Sequence, residues 1–169
     1  MELYTTHYHG QTIISVLRLV GKLDAVSYLD LIDKARSIVG EGTRQIVLDL
    51  SALTYISSAG LMALHYITVL LRGGAPLDPE AGWSALHAVA EDLGESAQHN
   101  VNLLNPQPHV LRTLERVRFT AFLSSYTTLD DAISAFAPSP DRRSQTDRPL
   151  RYLRALNAPD SPPKPDEPA

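Results

Sequence analysis

The chain has 169 residues, enough for one domain with a real core, and 44% hydrophobic with 20% charged residues is the balance of an ordinary soluble globular protein. A formal net charge of −4, with no Lys/Arg cluster, argues against non-specific nucleic-acid binding. The absence of cysteine excludes disulfides, a thiol nucleophile and cysteine-based metal sites.

No basic-then-apolar leader opens the chain, and no apolar run reaches membrane-spanning length. A cytoplasmic protein with no membrane partner is therefore expected. Leu3 to His9 alternates loosely and is rich in Tyr and Thr, and Thr12 to Val20 follows after Gly10-Gln11. Together they read as a β-hairpin, with Gly21 breaking its second strand. A helix is expected from about Val26 to Val39, with Tyr28, Leu29, Ile32, Ala35 and Val39 at helical spacing. Asp24 is a candidate cap for it, and Gly40 ends it. Gln45 to Leu50 is apolar on successive positions, as in a strand covered on both faces. Asp49, near the end of that strand, is expected to accept N–H bonds from the loop that follows.

Ser51 to Ile56 reads as a short loop, followed by a helix from Ala59 to about Arg72 that Gly73-Gly74 stops. Wound at about 100° per residue, Gly60, Leu64, Ile67 and Leu71 form a stripe that should face a sheet. The other side carries Ser58, Met62, His65 and Val69, flanked by Leu61 and Arg72. Ser57 and Ser58 thus sit at a strand-to-helix turn, where unpaired N–H groups and the positive end of the helix dipole converge. A serine there can cap the helix, face a partner or carry a phosphate.

Residues 75–99 read as a separate helical unit. Asp78-Pro79-Glu80 is its start signal, and Trp83, Leu86, Ala90 and Leu93 form its apolar stripe. It either covers part of this fold or supplies partner specificity through Trp83. Asn100 to Leu104 is the next strand, Pro108 to about Phe119 a helix, Ala121 to Tyr126 a short strand, and Leu129 to Phe136 a last helix. From Ala137 the composition changes, with eight of the twelve prolines in 137–169, which reads as a mobile tail. The expected class is α/β: an opening hairpin, then alternating strands and helices forming a mixed sheet with helices packed on it over residues 1–136.

Three stretches carry a family resemblance. Leu19-Val20-Gly21-Lys22-Leu23-Asp24 resembles the corner after the second strand of the STAS domain. Ile46-Val47-Leu48-Asp49-Leu50-Ser51 resembles its central strand, and Tyr55-Ile56-Ser57-Ser58-Ala59-Gly60-Leu61 its phosphorylation loop. The likeness covers roughly Leu3 to Phe136, interrupted by 75–99, and is greatest to the anti-sigma factor antagonists. It implies a STAS-like fold, phosphorylation at Ser58, and partner contacts through Asp24, Ser57, Ser58, Leu61 and Met62. Ser57 stands where the family often has an aspartate. The implied partners are an anti-sigma factor serine kinase, which binds the ATP itself, and a serine phosphatase. A non-enzymatic switch without a cofactor follows from the same resemblance. The alternative is a scaffold-type STAS protein of a larger signalling complex, and homo-oligomerisation is left open.

The residues speak against rival chemistries. His65 lies two helical turns from Ser58, roughly 10 Å along the axis, too far to act as its base. The Gly-x-Ser-x-Gly elbow is absent, as is a phosphate loop of the Gly-x₄-Gly-Lys type. His7 and His9 share a strand face, but no third metal ligand accompanies them.

Overall fold

The computed structural model describes residues 1–74, 100–121 and 123–137. The helical unit expected over 75–99 and the tail expected from 137, Ala137 excepted, lie outside these residues. β1 (Glu2–His9) and β2 (Ile13–Leu23) pair antiparallel in an unbroken register from Glu2↔Val20 to His9↔Ile13. α1 (Tyr28–Gly40) follows, then β3 (Thr43–Ile56) parallel to β2. α2 (Ser58–Leu71) leads out of β3. β4 (Val101–Leu104), α3 (Pro108–Arg116), a 3₁₀ turn (Phe119–Ala121), β5 (Ser124–Tyr126) and α4 (Leu129–Ser134) complete the order. The five strands form one mixed sheet in the order β1-β2-β3-β4-β5, parallel except for the opening hairpin.

Period-2 alternation divides the strands between two cores. Leu17, Leu19, Ile46, Leu48 and Leu50 pack with Ile32 and Ile38 of α1 and Leu64 and Ile67 of α2. Val16, Val47 and Leu104 point to the other face and meet Ala132 of α4, with Leu129, Ile133 and Phe136 beside it. Each such aliphatic side chain contributes about 1.5–3 kcal/mol relative to exposure. Asn102 is buried on this second face and donates through Nδ2 to the Ala132 carbonyl at 2.8 Å, fastening α4 to β4.

Four local expectations are corrected. Gly21 does not break β2: it takes a left-handed φ of 104° inside the strand, which costs a residue without a β-carbon little. Ser51 to Ile56 is strand and not loop, because β3 keeps pairing with β2 as far as Leu23↔Ile56. Register shifts between Arg18 and Val20 and between Gly21 and Lys22 leave extra residues on β3, the signature of bulges. α1 begins at Tyr28, two residues later than expected, and its buried face is Leu31, Ile32, Ala35 and Ile38, so Leu29 is exposed. α3 ends at Arg116, and Arg118 at φ 60° turns the chain into the 3₁₀ segment. No helix among the described residues is long and apolar enough to cross a membrane.

Candidate functional site

β3 outruns β4. Its last pairing with β4 is Asp49↔Leu104, and it continues to Ile56. Carbonyls of this overhang are taken by side chains from the start of α3. The Gln107 amide donates to the Ser51 carbonyl, and His109 Nε2 donates to the Thr54 carbonyl at 2.6 Å. On the other border, Thr54 Oγ1 donates to the Gly21 carbonyl at 2.9 Å. Asp49 accepts the Ser51 N–H at 3.0 Å, a bond within β3 where one to a loop was expected, and also faces Arg18 Nε at 3.7 Å.

The two serines divide the tasks open to them. Ser57 is extended (φ −95°, ψ 175°) and is the N-cap of α2, its Oγ accepting the Gly60 N–H at 3.2 Å. Its own N–H donates to the Leu23 carbonyl at 2.9 Å, which ties the serine loop to the end of β2. Ser58 is therefore the first helical residue, and it is exposed. The cap expected as one role of Ser58 belongs to its neighbour.

Leu23 leads directly into the Asp24 corner. Asp24 Oδ1 accepts the Val26 N–H at 3.0 Å, the Ser27 N–H at 3.2 Å and the Ser27 hydroxyl at 3.1 Å. The Asp24 N–H donates to Ser27 Oγ at 3.1 Å. Asp24 thus caps the turn before α1, and the helix's own N-cap is Ser27, which makes no side-chain cap bond. The Val26 N–H bond, joined by those from Ser27, holds the Asp24 carboxyl below its ordinary pKa of 3.8 against a smaller opposing effect of desolvation. A fixed negative charge at neutral pH therefore stands on the corner to which the serine loop is bonded.

The remaining expected contacts separate. Met62 is half-buried, whereas Leu61 is 4% exposed and belongs to the main core. Buried in that core, Leu61 leaves almost no surface for a partner to touch. Apolar surface at this end of the sheet is instead supplied by residues not expected as partner contacts: Val26 (86% exposed), Leu29 and Tyr55. Val26 reads from the sequence as the start of a helix, whereas it lies in the turn before α1 and points outward. Ser27 was signalled only by its place three residues after Asp24, a spacing that lets two polar side chains close a turn.

Rival chemistries find little support here. Ser58 and His65 stand on one helix about two turns apart. Among the described residues no group of three or more His, Cys, Asp or Glu is placed to hold a metal. His7 Nδ1 lies 2.8 Å from Ser15 Oγ, which lies 2.6 Å from Thr43 Oγ1. That chain links three strands through a serine buried out of reach of any substrate.

Residues 6–75 match the STAS domain family model. No curated protein sequence matches the chain. Among solved structures, an anti-sigma factor antagonist from Mycobacterium paratuberculosis is similar at a TM-score of 0.51 and 20% identity, over 81% of this chain and 96% of that one. The anti-sigma factor antagonist SpoIIAA in its unphosphorylated form is similar at 0.50 and 20% identity, over 78% and 95%. Over residues 6–75 the chain is thus similar to the STAS domain, and its sheet and helices are arranged as in these anti-sigma factor antagonist structures.

Proposed function

We propose that this protein is an anti-sigma factor antagonist switched by phosphorylation of Ser58. Unphosphorylated, it binds an anti-sigma factor kinase and frees a sigma factor or analogous client. The kinase, using its own ATP, phosphorylates Ser58 and ends the interaction, and a serine phosphatase resets it. The observation that carries this reading is the exposed Ser58 hydroxyl at the first position of α2, with Ser57 already serving as cap.

The chemistry is electrostatic. A phosphoserine adds about −1.5 to −2 charges. The helix N-terminus favours that charge, so the fold tolerates it. A partner docked over Val26, Tyr55 and Met62 must desolvate it, beside an Asp24 carboxylate that is already ionised. A loss of about 3 kcal/mol is more than a hundredfold in affinity.

Incubation with the cognate kinase and ATP tests the reading. Wild type and Ser57→Ala are expected to be labelled and Ser58→Ala to stay unlabelled while still binding the kinase. Equal labelling of Ser58→Ala and wild type removes the site assignment.

A further inference from the structure

β1 is an outer strand of the sheet, and its outer edge is long. It has eight residues, against three in β5 at the opposite border. Soluble proteins blunt such edges with lysine, proline, a bulge or a very short strand. Glu2–His9 contains no lysine and no proline, and its pairing with β2 has no register shift. Glu2, at its start, is its one carboxylate. Among the described residues the sheet face beside this edge is also only half covered. α4 lies over the β3–β5 part, whereas Tyr4 and Tyr8 of β1 are 56% and 39% exposed.

We propose that this edge is the interface of a symmetric dimer, in which the β1 strands of two copies pair antiparallel about Thr6 and join the two sheets into one. The strand's own pattern selects a second copy as the occupant. Tyr4, Thr6 and Tyr8 stand opposite Arg18, Val16 and Ile14, on the face of the second core, and Leu3 and Thr5 stand opposite Leu19 and Leu17, on the face of the main core. Directly opposed residues in an antiparallel pair share a face, so the two-fold axis must pass through a residue.

An axis at Thr6 sets Tyr4 against the partner's Tyr8, and Tyr8 against the partner's Tyr4. Both pairs lie on the uncovered face, where aromatic cross-strand pairs stabilise a sheet. Leu3 then meets His9, Thr5 meets His7, and Glu2 meets Gly10, so no carboxylate opposes another. An axis at Thr5 pairs Tyr4 with Thr6 and Glu2 with Tyr8, and separates the aromatic rings. Because Glu2 pairs with Val20, the start of β1 lies toward the serine end of the sheet. The two-fold sends the two Ser58 loops to opposite ends and leaves both accessible, so the dimer stands independently of the phosphorylation reading.

The lack of native cysteine makes the register directly testable. Residues opposed in an antiparallel pair have Cα atoms about 4.5–5.5 Å apart, within the roughly 4.4–6.8 Å range of disulfides. Thr6→Cys is therefore expected to cross-link under mild oxidation. Tyr4→Cys and Tyr8→Cys alone are expected to stay uncross-linked, and the Tyr4→Cys, Tyr8→Cys double variant to cross-link. Light scattering of the wild type should give twice the chain mass. Thr6→Lys, which opposes two ammonium groups on an exposed position, should give the chain mass with an unchanged unfolding midpoint. A monomeric wild type at high concentration overturns the proposal, as does faster cross-linking through Thr5→Cys or Tyr4→Cys than through Thr6→Cys.

Discussion

Gly60 of α2 lies against Leu23 at the end of β2 with no room between them. A β-carbon on Gly60 would stand 2.7 Å from Leu23 Cγ, 2.8 Å from the Leu23 carbonyl oxygen and 3.0 Å from Ile56 Cγ1. The same carbonyl receives the Ser57 N–H. The Asp24 corner and the serine loop are therefore one packed unit, and its closeness depends on a missing side chain.

Gly60→Ala is expected to destabilise the protein by about 1–3 kcal/mol, the usual cost of overpacking. One of the three short contacts is backbone, so rotamer change alone cannot relieve it. Urea denaturation measures the loss. Partner binding should fall further than stability, because the two halves of the surface are pushed apart.

Ser57→Ala should cost about 1 kcal/mol through the lost cap. Ser58→Ala should change stability little, since its hydroxyl is exposed and makes no cap bond. Ser57→Asp is expected to retain the cap and wild-type stability, because aspartate caps as well as serine. Unfolding curves of the three variants separate the two serines; equal losses at 57 and 58 would contradict the division of roles.

Asp24 makes the corner acid-sensitive. Its pKa in the folded protein lies below the ordinary 3.8, so the fold favours the ionised form. The stabilisation is complete above the unfolded value and is lost as pH falls through the folded one. Asn at this position keeps an oxygen for the Val26 and Ser27 N–H groups but does not titrate. The stability difference between wild type and Asp24→Asn, followed by denaturation from pH 6 downward, should shrink below 3.8. A difference that stays level through the acid range would rule out Asp24 as the titrating group.

Val26→Asp should leave stability within about 0.5 kcal/mol, as for most surface changes. Affinity for the proposed kinase partner should nevertheless drop at least tenfold, about 1.4 kcal/mol. Leu61→Ala should do the reverse, lowering stability by about 2–5 kcal/mol as a core truncation. Calorimetric binding paired with thermal unfolding distinguishes surface from core.

The hairpin, the alternation of strands and helices and the Ser57–Gly60 turn were all legible, because each rests on local periodicity or punctuation. α2's inward stripe of Gly60, Leu64, Ile67 and Leu71 was legible for the same reason. Leu61 was not: helical winding placed it on a flank, and its burial in the main core comes from tertiary packing that local spacing does not carry. Ser51–Ile56 was illegible as strand because Ser, Ala and Thr there have no strong period. Pairing with β2 through two bulges makes it strand, and that geometry belongs to the partner strand. In α1 the buried stripe runs through Leu31 and Ile38 and not Leu29 and Val39, a rotation of the inward face that apolar spacing on both sides left open.

Past Asp49 the border of β3 that faced β4 is fastened, among the described residues, by Gln107 and His109, where a neighbouring strand would have stitched it along its length. The serine corner rides at the end of that border. On that side its footing is two side chains of another element, so a change at Gln107 or His109 reaches the corner without touching a residue of it.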